Sequence, residues 1–274
     1  MKFKAISAIV AVLAVAATVL IGANHGLRWF MVETPSMGAV APRGSLVVTA
    51  PVAAANIHVG QIISFHPPTD PTQIYTHRVF AITSNGINTK GDINGAVDGW
   101  ELQPGDVIGK AILILPAVGW LLKVLPLISG GLLLVWAMSL LVSNLHARKT
   151  LRLFGASMVF TYAITVVRPF ANYQVIDALP SELGHNRVDY TVVNTGLLPM
   201  GFTSHDGGHI VLADGQVGVV HASVDAASNF VDLGAHLALQ PWQLLAFGLV
   251  GSIPLIISIL HYLQSRKEVR HELA

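Results

Sequence analysis

The chain has 274 residues, of which 53% are apolar and only 11% are charged. Ordinary soluble domains carry about 25% charged residues, so this composition, with a mean hydropathy of +0.60, is typical of a membrane protein. The net charge is +1 and no basic cluster suggests phosphate binding, so we expect no nucleic-acid partner. The chain contains no cysteine, which excludes disulfides, thiolate zinc sites and a cysteine nucleophile.

Four apolar runs are candidate membrane spans. The first, residues 5–23, is an uncharged run of 19 residues. It is longer than the apolar region of a cleavable signal peptide, about 7–15 residues, and close to the roughly 20 residues that a span needs. We therefore favour a retained anchor over residues 1–23, with a cleaved signal peptide as the alternative. The other predicted spans are residues 124–142, 153–167 and 242–263.

Basic residues beside these runs predict the orientation in the membrane. Four spans place three basic clusters on one side: Lys2 and Lys4, then Arg148, Lys149 and Arg152, then Arg266, Lys267 and Arg270. That side should be cytoplasmic, which makes residues 143–152 a cytoplasmic loop and residues 264–274 a cytoplasmic tail. The segments 24–123 and 168–241 then lie outside, and they hold thirteen of the fifteen acidic residues.

The outer segment 24–123 has the pattern of a compact antiparallel β-sheet or barrel. Short runs rich in β-branched and aromatic residues alternate with turn-forming residues such as Pro67, Pro68 and Gly86. These runs cover residues 44–52, 60–66, 74–82, 86–92 and 106–115. The segment 168–241 contains strand-like pieces as well. The predicted fold is therefore a membrane protein with a mainly β outer domain, about four transmembrane helices and a small β-rich second outer segment.

Residues 111–122 connect the last of these runs to the second predicted span. We interpret them as a surface that lies on the membrane, since Lys123 and Pro126 disfavour one long helix that continues into the span. Trp29 and Trp120 are aromatic residues of the type found at membrane interfaces. A place in the protein core explains both of them equally well.

A serine in the sequence ETPSMGAV, Ser36, lies about thirteen residues after the first predicted span. A serine hydroxyl becomes a nucleophile when a neighbouring base takes its proton. An unperturbed histidine, with a pKa of about 6.5, is a neutral base near pH 7, whereas a lysine must have its pKa of about 10.4 lowered by burial. The candidates in the same segment are His58, His66, His77, Lys90 and Lys110.

His77 is the preferred base, because it lies in the strand-like run IYTHRVFAI, where a rigid element can aim an imidazole. A histidine base needs an acceptor on its other ring nitrogen. The glycine-rich stretch TKGDINGAVDGW supplies Asp92 and Asp98. Ordinary structural roles remain open for all four residues: a turn serine, a half-buried strand histidine and two turn-capping aspartates.

The order of short motifs in the first half of the chain resembles signal peptidase I. An apolar anchor is followed by PSM, RG, VGQIISF, THRV, TKGDIN and GKAILILPAVGWL, in the family's order and with similar spacings. The likeness is to the branch found in archaea, the endoplasmic reticulum and some Gram-positive bacteria, which has histidine where the usual bacterial enzyme has lysine. It covers about residues 1–142 and nothing after about residue 145.

The resemblance implies a role for each matching residue. Ser36 in PSM would be the nucleophile, His77 in THRV the general base, and Asp98 the third member of the triad. Asp92 in KGDIN would be a structural carboxylate of the site, although the roles of the two aspartates are interchangeable at this stage. Thr34 takes the place of a serine whose hydroxyl helps to hold the oxyanion, and the backbone N–H of Ser36 would be the second donor.

Departures from the family pattern affect the loop that carries the serine. The family usually has glycine before the serine, where this chain has Pro35, and Glu-Pro after SM, where this chain has Gly38 and Ala39. The family's RGD is RGS at residues 43–45. We expect these changes to affect substrate choice or to lower the activity. They leave the serine, the histidine and the aspartates in place.

The resemblance implies a serine endopeptidase with a signal-peptidase-type β fold in the cell membrane. It would remove signal peptides from exported preproteins on the outer side of the bilayer, with no metal and no cofactor. Residues 150–274 lie outside the family's usual core, and we expect them to position particular preproteins or a membrane partner. The alternative is an inactive membrane scaffold or receptor with a degenerate peptidase-like β domain.

A metal site is a further alternative for an enzyme. His205 and His209 have the spacing of two ligands on one helical turn, but glycines occupy positions 207 and 208 between them. Glycine disfavours the helix that would align the two rings. We therefore predict a polar turn at this point and no metal centre.

Overall fold

The computed structural model describes residues 22–167, 170–181, 187–204, 208–223 and 233–272. These residues form an N-terminal β domain, a pair of long helices, a second β domain and a C-terminal helix. The predicted anchor, residues 1–23, lies outside the described part of the chain apart from its last two residues.

One sheet of six antiparallel strands forms the N-terminal β domain. Its strands are β1 (Arg28–Met31), β2 (Leu46–Ala50), β3 (Ile62–Phe65), β4 (Tyr75–Ile82), β5 (Ile87–Lys90) and β6 (Val107–Leu115). Their order across the sheet is β1-β2-β6-β3-β4-β5. Each of the five predicted runs contains one of the strands β2 to β6, so the β prediction for this segment is confirmed. Strand β1, which pairs with β2, was not predicted.

Two groups of buried apolar side chains form the core of this domain. The larger group contains Ile57, Ile63, Phe65, Val79, Ile87 and Leu102. The smaller group contains Val32, Met37, Ala41 and Val47. Side chains alternate between the faces of a strand, so β4 buries His77 and Val79 on the core side and leaves Phe80 exposed. This alternation is what brings a histidine to the interior of the domain.

The helices α1 (Val118–Leu140) and α2 (Leu145–Val167) form an antiparallel pair. Each has 23 residues and is long and apolar enough to cross a membrane. The two helices approach closely at glycines: a Cβ atom added at Gly131 would lie 2.6 Å from Val159, and one added at Gly155 would lie 2.7 Å from Val135. Small residues at such positions are typical of helix contacts within membranes.

The start of α1 differs from the prediction. The helix begins at Val118 and continues through Lys123 and Pro126, so residues 118–122, which were interpreted as separate from the helix, belong to it, whereas residues 111–115 are the end of β6. Pro126 removes only one backbone donor from the helix, and Lys123 stays half exposed with its Nζ 3.4 Å from the carboxylate of Glu33. A proline and a partly exposed lysine can therefore both be accommodated near the end of this helix.

Trp120 is a core residue. Its side chain is buried, and its ring packs directly against the backbone of Gly44, where an added Cβ atom would overlap it. The guanidinium of Arg43 lies 5.6 Å from the centre of the ring. The alternative of a place at the lipid headgroups does not hold for this residue.

The start of α2 differs as well. The helix begins at Leu145 rather than at residue 153, so most of the predicted loop 143–152 is helical. The basic residues of this stretch make local bonds: Arg148 donates to the carbonyl of Val142 at 2.9 Å and Arg152 donates to the Ser139 hydroxyl at 2.7 Å. Arginine and lysine are good helix formers, so the helix extends beyond the apolar pattern that was used to predict it.

Two three-stranded sheets form the second β domain. One has the order β11-β8-β7 and the other the order β10-β9-β12. The strands are β7 (Tyr173–Pro180), β8 (Arg187–Asn194), β9 (Met200–Ser204), β10 (His209–Leu212), β11 (Val217–Ser223) and β12 (Leu233–Leu237). Their shared core contains Val192, Met200, Phe202, Leu212 and Val220. The predicted β-rich character of this segment is confirmed.

The C-terminal helix α3 (Pro241–Glu272) contains the fourth predicted span. Within it, Pro241–Ile253 is an apolar helical stretch shorter than a span, and the helix continues through the rest of the predicted span 242–263. Among the residues that the structure describes, only α1 and α2 are long and apolar enough to cross a membrane. The structure therefore supports two of the four predicted spans.

Candidate active site

Ser36 lies in the tight loop between β1 and β2. The N–H of Gly38 donates to the carbonyl of Pro35 at 2.7 Å, and the carbonyl of Ser36 accepts from the N–H of Ile93 at 3.1 Å. The neighbouring Met37 is 1% exposed and anchors the loop in the smaller core group. Gly38 has a φ of +54°, which side-chain-bearing residues rarely adopt. The hydrogen bond with Ile93 and the buried side chain of Met37 therefore both hold the loop in place, and Gly38 provides the left-handed backbone conformation that the loop requires.

His77 connects the serine to a carboxylate. Its Nε2 lies 3.0 Å from the Oγ of Ser36, and its Nδ1 lies 2.7 Å from the Oδ2 of Asp98. The side chains of His77 and Asp98 are only 7% and 6% exposed. With the proton on Nδ1, the ring donates to Asp98 and can accept the serine proton at Nε2, which is the tautomer that a general base requires. The structure thus brings three of the predicted site residues together in one hydrogen-bonded chain.

Aromatic side chains fix the plane of the histidine ring. Tyr75, two residues earlier on the same face of β4, stacks on His77 with ring centres 5.8 Å apart. Trp100 stacks in turn on Tyr75 at 5.6 Å, and Phe65 meets the imidazole edge-on at 6.1 Å. Packing on several sides reduces the freedom of the imidazole, so its nitrogens are aimed before any substrate binds.

Asp98 receives further support from β5. Its backbone N–H donates to the carbonyl of Thr89 at 2.9 Å, and the Thr89 hydroxyl donates to the carboxylate oxygen that also faces His77, at 2.7 Å. Thr89 is fully buried. The sequence analysis missed this residue, because a threonine in a strand is ordinarily explained by its β propensity. Its position within TKGDIN was the one available signal.

Asp92 occupies a different place from Asp98. Its two carboxylate oxygens accept from Nε and Nη2 of Arg78 at 2.8 and 2.7 Å, a bidentate pair that joins β4 to the loop after β5. This hydrogen bonding raises the pKa of Arg78 further above its ordinary value. Of the two aspartates, Asp98 is therefore the one that contacts the histidine, and Asp92 has a structural position beside the site.

Thr34 lies next to the nucleophile. Its Oγ1 is 3.2 Å from the Oγ of Ser36. Among the described hydrogen bonds, the backbone N–H of Ser36 has no acceptor. Both groups predicted to hold an oxyanion are thus close to the serine, and the main-chain donor is available.

The other candidate bases make no contact with the serine. Among the described residues, His77 is the one titratable side chain that is hydrogen bonded to Ser36. His66 instead contacts the carbonyl of Gln73 through Nδ1 at 3.0 Å. Of the histidines considered as metal ligands, His205 lies outside the described residues, and His209 stacks on His236 at 6.1 Å.

Comparisons with known proteins add no family assignment. No protein-family model matches the chain, and no curated protein matches it either. The interpretation of the site therefore depends on its geometry and on the resemblance of its motifs.

Proposed function

We propose that this protein is a membrane-bound serine endopeptidase of the signal peptidase I type, which removes N-terminal signal peptides from exported preproteins. The observation that supports the proposal most directly is the hydrogen-bonded chain from Ser36 through His77 to Asp98. Its members come from three separate parts of the N-terminal β domain, and two of them are almost fully buried. An imidazole in this environment is oriented for proton transfer.

The first chemical step is attack of the Ser36 Oγ on the scissile carbonyl carbon. His77 takes the hydroxyl proton at Nε2 as the bond forms, and Asp98 stabilises the resulting imidazolium through its bond to Nδ1. The carbonyl oxygen becomes an oxyanion, which the N–H of Ser36 and the hydroxyl of Thr34 would hold. Loss of one such donor typically lowers the rate about 10²–10³-fold.

The second half of the reaction uses the same proton relay in reverse. The imidazolium of His77 gives its proton to the leaving amine, and the C–N bond breaks to leave an acyl-enzyme on Ser36. A water molecule then loses a proton to Nε2 and attacks the ester carbonyl. The bond between the carbonyl carbon and the Ser36 Oγ breaks, Nε2 returns the proton to that oxygen, and the new carboxyl terminus is released. No metal or cofactor is needed for either half.

The arrangement of the helices supports a location at the membrane. Helices α1 and α2 run in opposite directions, so the chain leaves the N-terminal β domain at Val118 and returns for the second β domain after Val167. If both helices cross the bilayer, the two β domains lie on the same side, and the basic start of α2, with Arg148 and Lys149, lies on the other. The proposal includes the anchor over residues 1–23 and the span over residues 242–263, with the active site outside.

The substrate class follows from this location. Signal peptides end in small residues, in an A-x-A-like pattern, at the outer surface of the membrane. A nucleophile in the loop between β1 and β2 is carried by the domain from which α1 starts, so it stays near the bilayer. Exported preproteins are therefore the proposed substrates, and the lipid bilayer is the second partner.

The test compares the wild type with Ser36→Ala in membranes that contain an exported precursor with an A-x-A cleavage site. The wild type should produce the mature form, with the N-terminus expected for cleavage after that site. Ser36→Ala should slow the conversion by at least about 10⁴-fold. Ser84→Ala is the matched control, since Ser84 is exposed in the turn between β4 and β5 and should retain full activity.

A folded wild-type protein that leaves every precursor uncleaved and resists labelling by a fluorophosphonate would contradict the proposal. That outcome would favour the inactive scaffold or receptor instead.

A further inference from the structure

A tight turn in the second β domain contacts the loop that carries Ser36. Residues 213–216 connect β10 to β11, and the N–H of Gln216 closes the turn on the carbonyl of Ala213 at 3.0 Å. The side-chain oxygen of Gln216 also accepts from the N–H of Ala213 at 2.8 Å. Gly215 has a φ of +72°, the left-handed conformation that glycine accommodates without strain.

Backbone atoms of the two segments are in direct contact. A Cβ atom added to Gly215 would lie 2.6 Å from the carbonyl oxygen of Gly38 and 2.8 Å from the Cα of Ala39. A Cβ atom added to Gly38 would lie 2.5 Å from Ile93. Side chains are therefore excluded at Gly215 and Gly38, and the turn rests on the two residues that follow Met37.

This contact gives a physical account of one departure from the signal peptidase pattern. The family usually has Glu-Pro at the two positions where this chain has Gly38 and Ala39. A glutamate at the first position would carry its side chain toward Ile93 and the turn. The small residues allow the second β domain to reach a loop that a larger pair would shield.

The turn is rigidly tied to the core of its own domain. Asn194 is fully buried, and its side-chain amide donates to the carbonyls of Leu198 and Leu212 at 2.8 and 2.9 Å. Its backbone carbonyl accepts from the N–H of Gly215, and its N–H donates to the carbonyl of Gln216. The turn therefore has a fixed position and can restrain the loop that it contacts.

The turn also contains a partly buried carboxyl group. The Oδ1 atom of Asp214, in the same turn, is buried without a hydrogen-bond partner in the described structure. Burial raises the pKa of Asp214 to about 6. Buried polar atoms without a protein partner are uncommon in native structures.

We propose that the turn of residues 213–216 is a positioning element of the Ser36 loop, so that the second β domain is part of the catalytic unit. By resting on Gly38 and Ala39, the turn holds the nucleophile at hydrogen-bonding distance from His77. The inference rests on the proposed peptidase function. It assigns to the second β domain a role in catalysis in addition to the expected role in positioning preproteins.

Gly215→Ala tests the proposal in the full-length protein, because the added methyl group must push the turn away from Gly38. Gly60→Ala is the matched control: Gly60 has a similar φ of +88°, and a Cβ atom there would meet nothing within 4 Å. Both variants carry the same backbone strain, and only the first disturbs the contact. The measurements are kcat and KM for a precursor, the rate of fluorophosphonate labelling of Ser36, and the thermal unfolding temperature.

We expect Gly215→Ala to lower kcat and the labelling rate about 10-fold or more, with KM within about 2-fold of the wild type, since a small misplacement of a catalytic group is costly. Gly60→Ala should keep the wild-type kcat with a similar loss of thermal stability. A Gly215→Ala variant with wild-type kcat and labelling would overturn the inference and leave the peptidase function intact. A wild type that neither cleaves precursors nor reacts would overturn both.

A chemical cross-link tests the contact without any activity. The chain has no cysteine of its own, so Ala39→Cys with Asp214→Cys introduces a unique pair. A short bis-maleimide should join the two in native membranes, and mass spectrometry of a proteolytic digest identifies the linked peptides. The control pair, Ser84→Cys with Asp214→Cys, should give no link. Equal linking of both pairs, or of neither, would contradict the contact.

Discussion

Each β domain of this protein contains a histidine paired with an aspartate, and the two pairs have the same geometry. His77 and Asp98 are 2.7 Å apart, as are His221 and Asp189. Their environments differ: the side chains of the first pair are 7% and 6% exposed, and those of the second are 49% and 27% exposed. A serine hydroxyl faces the free ring nitrogen of His77, and the described hydrogen bonds give His221 no such neighbour.

The difference separates the pair that we propose to be catalytic from a pair that has only the histidine–aspartate bond. His221 and Asp189 lie directly opposite each other on β11 and β8, so their bond is an ordinary cross-strand pair. The hydrogen bond from His221 lowers the pKa of Asp189, with help from Ser181. Exposed pairs of this kind contribute little to stability. The pair in the N-terminal domain differs in being buried and in having Ser36 as a third member, which are the two features on which the proposed catalysis depends.

The largest expected effect separates the two histidines. His77→Gln removes the base that accepts the serine proton, and we expect the rate of precursor cleavage to fall by about 10⁴–10⁶-fold. His221→Gln keeps the same change in charge and size at the exposed pair and should leave the rate within about 2-fold of the wild type. Conversion of a labelled precursor, followed by gel electrophoresis, measures both. Equal losses of cleavage rate in the two variants would show that His77 has no special role in catalysis.

The aspartates give the next largest effect. Asp98→Asn keeps the shape of the side chain but no longer favours the required tautomer of His77, and we expect kcat to fall by about 10⁴-fold. Asp189→Asn is the matched substitution on the exposed pair, and it should change kcat by less than about 2-fold. Steady-state kinetics on one purified precursor distinguishes the two. Full activity of Asp98→Asn would show that His77 is oriented by its aromatic neighbours alone.

A third carboxyl group sharpens the comparison with a smaller effect, because the pKa of Asp214 is raised by burial more than its hydrogen bond with the backbone of Gly215 lowers it. Its pKa is about 6 in the folded protein, against about 3.9 in an unfolded chain. The folded state therefore binds more protons between these values, and the free energy of unfolding falls as the pH rises through about 4–6.

Asp214→Asn removes this dependence, since the amide does not titrate. After allowance for solvent screening of a half-exposed group, we expect the variant to gain about 1 kcal/mol relative to the wild type between pH 4 and pH 8. Thermal unfolding of the two proteins in detergent at both pH values measures the change. A stability difference that is the same at pH 4 and pH 8 would show that Asp214 titrates normally.

Local sequence pattern predicted much of the N-terminal domain. The β-branched runs identified β2 to β6, and the alternation along β4 is consistent with a histidine on the buried face. The same patterns predicted the starts of α1 and α2 poorly, although they placed the last residues of both helices closely. Hydropathy reports where a helix is apolar, whereas Pro126 and Arg152 lie inside helices whose ends depend on backbone hydrogen bonds and packing.

Ser36, His77 and two candidate aspartates could be named from the sequence alone, because motif order and residue chemistry are local properties of the chain. The choice of Asp98 over Asp92, the support from Thr89 and the contact of Gly215 with Gly38 were decided only by the tertiary structure. Each of these depends on the distance between residues that are far apart in the chain or separated by a flexible turn. Such distances are set by how strands register and cores pack, and no short stretch of sequence encodes them.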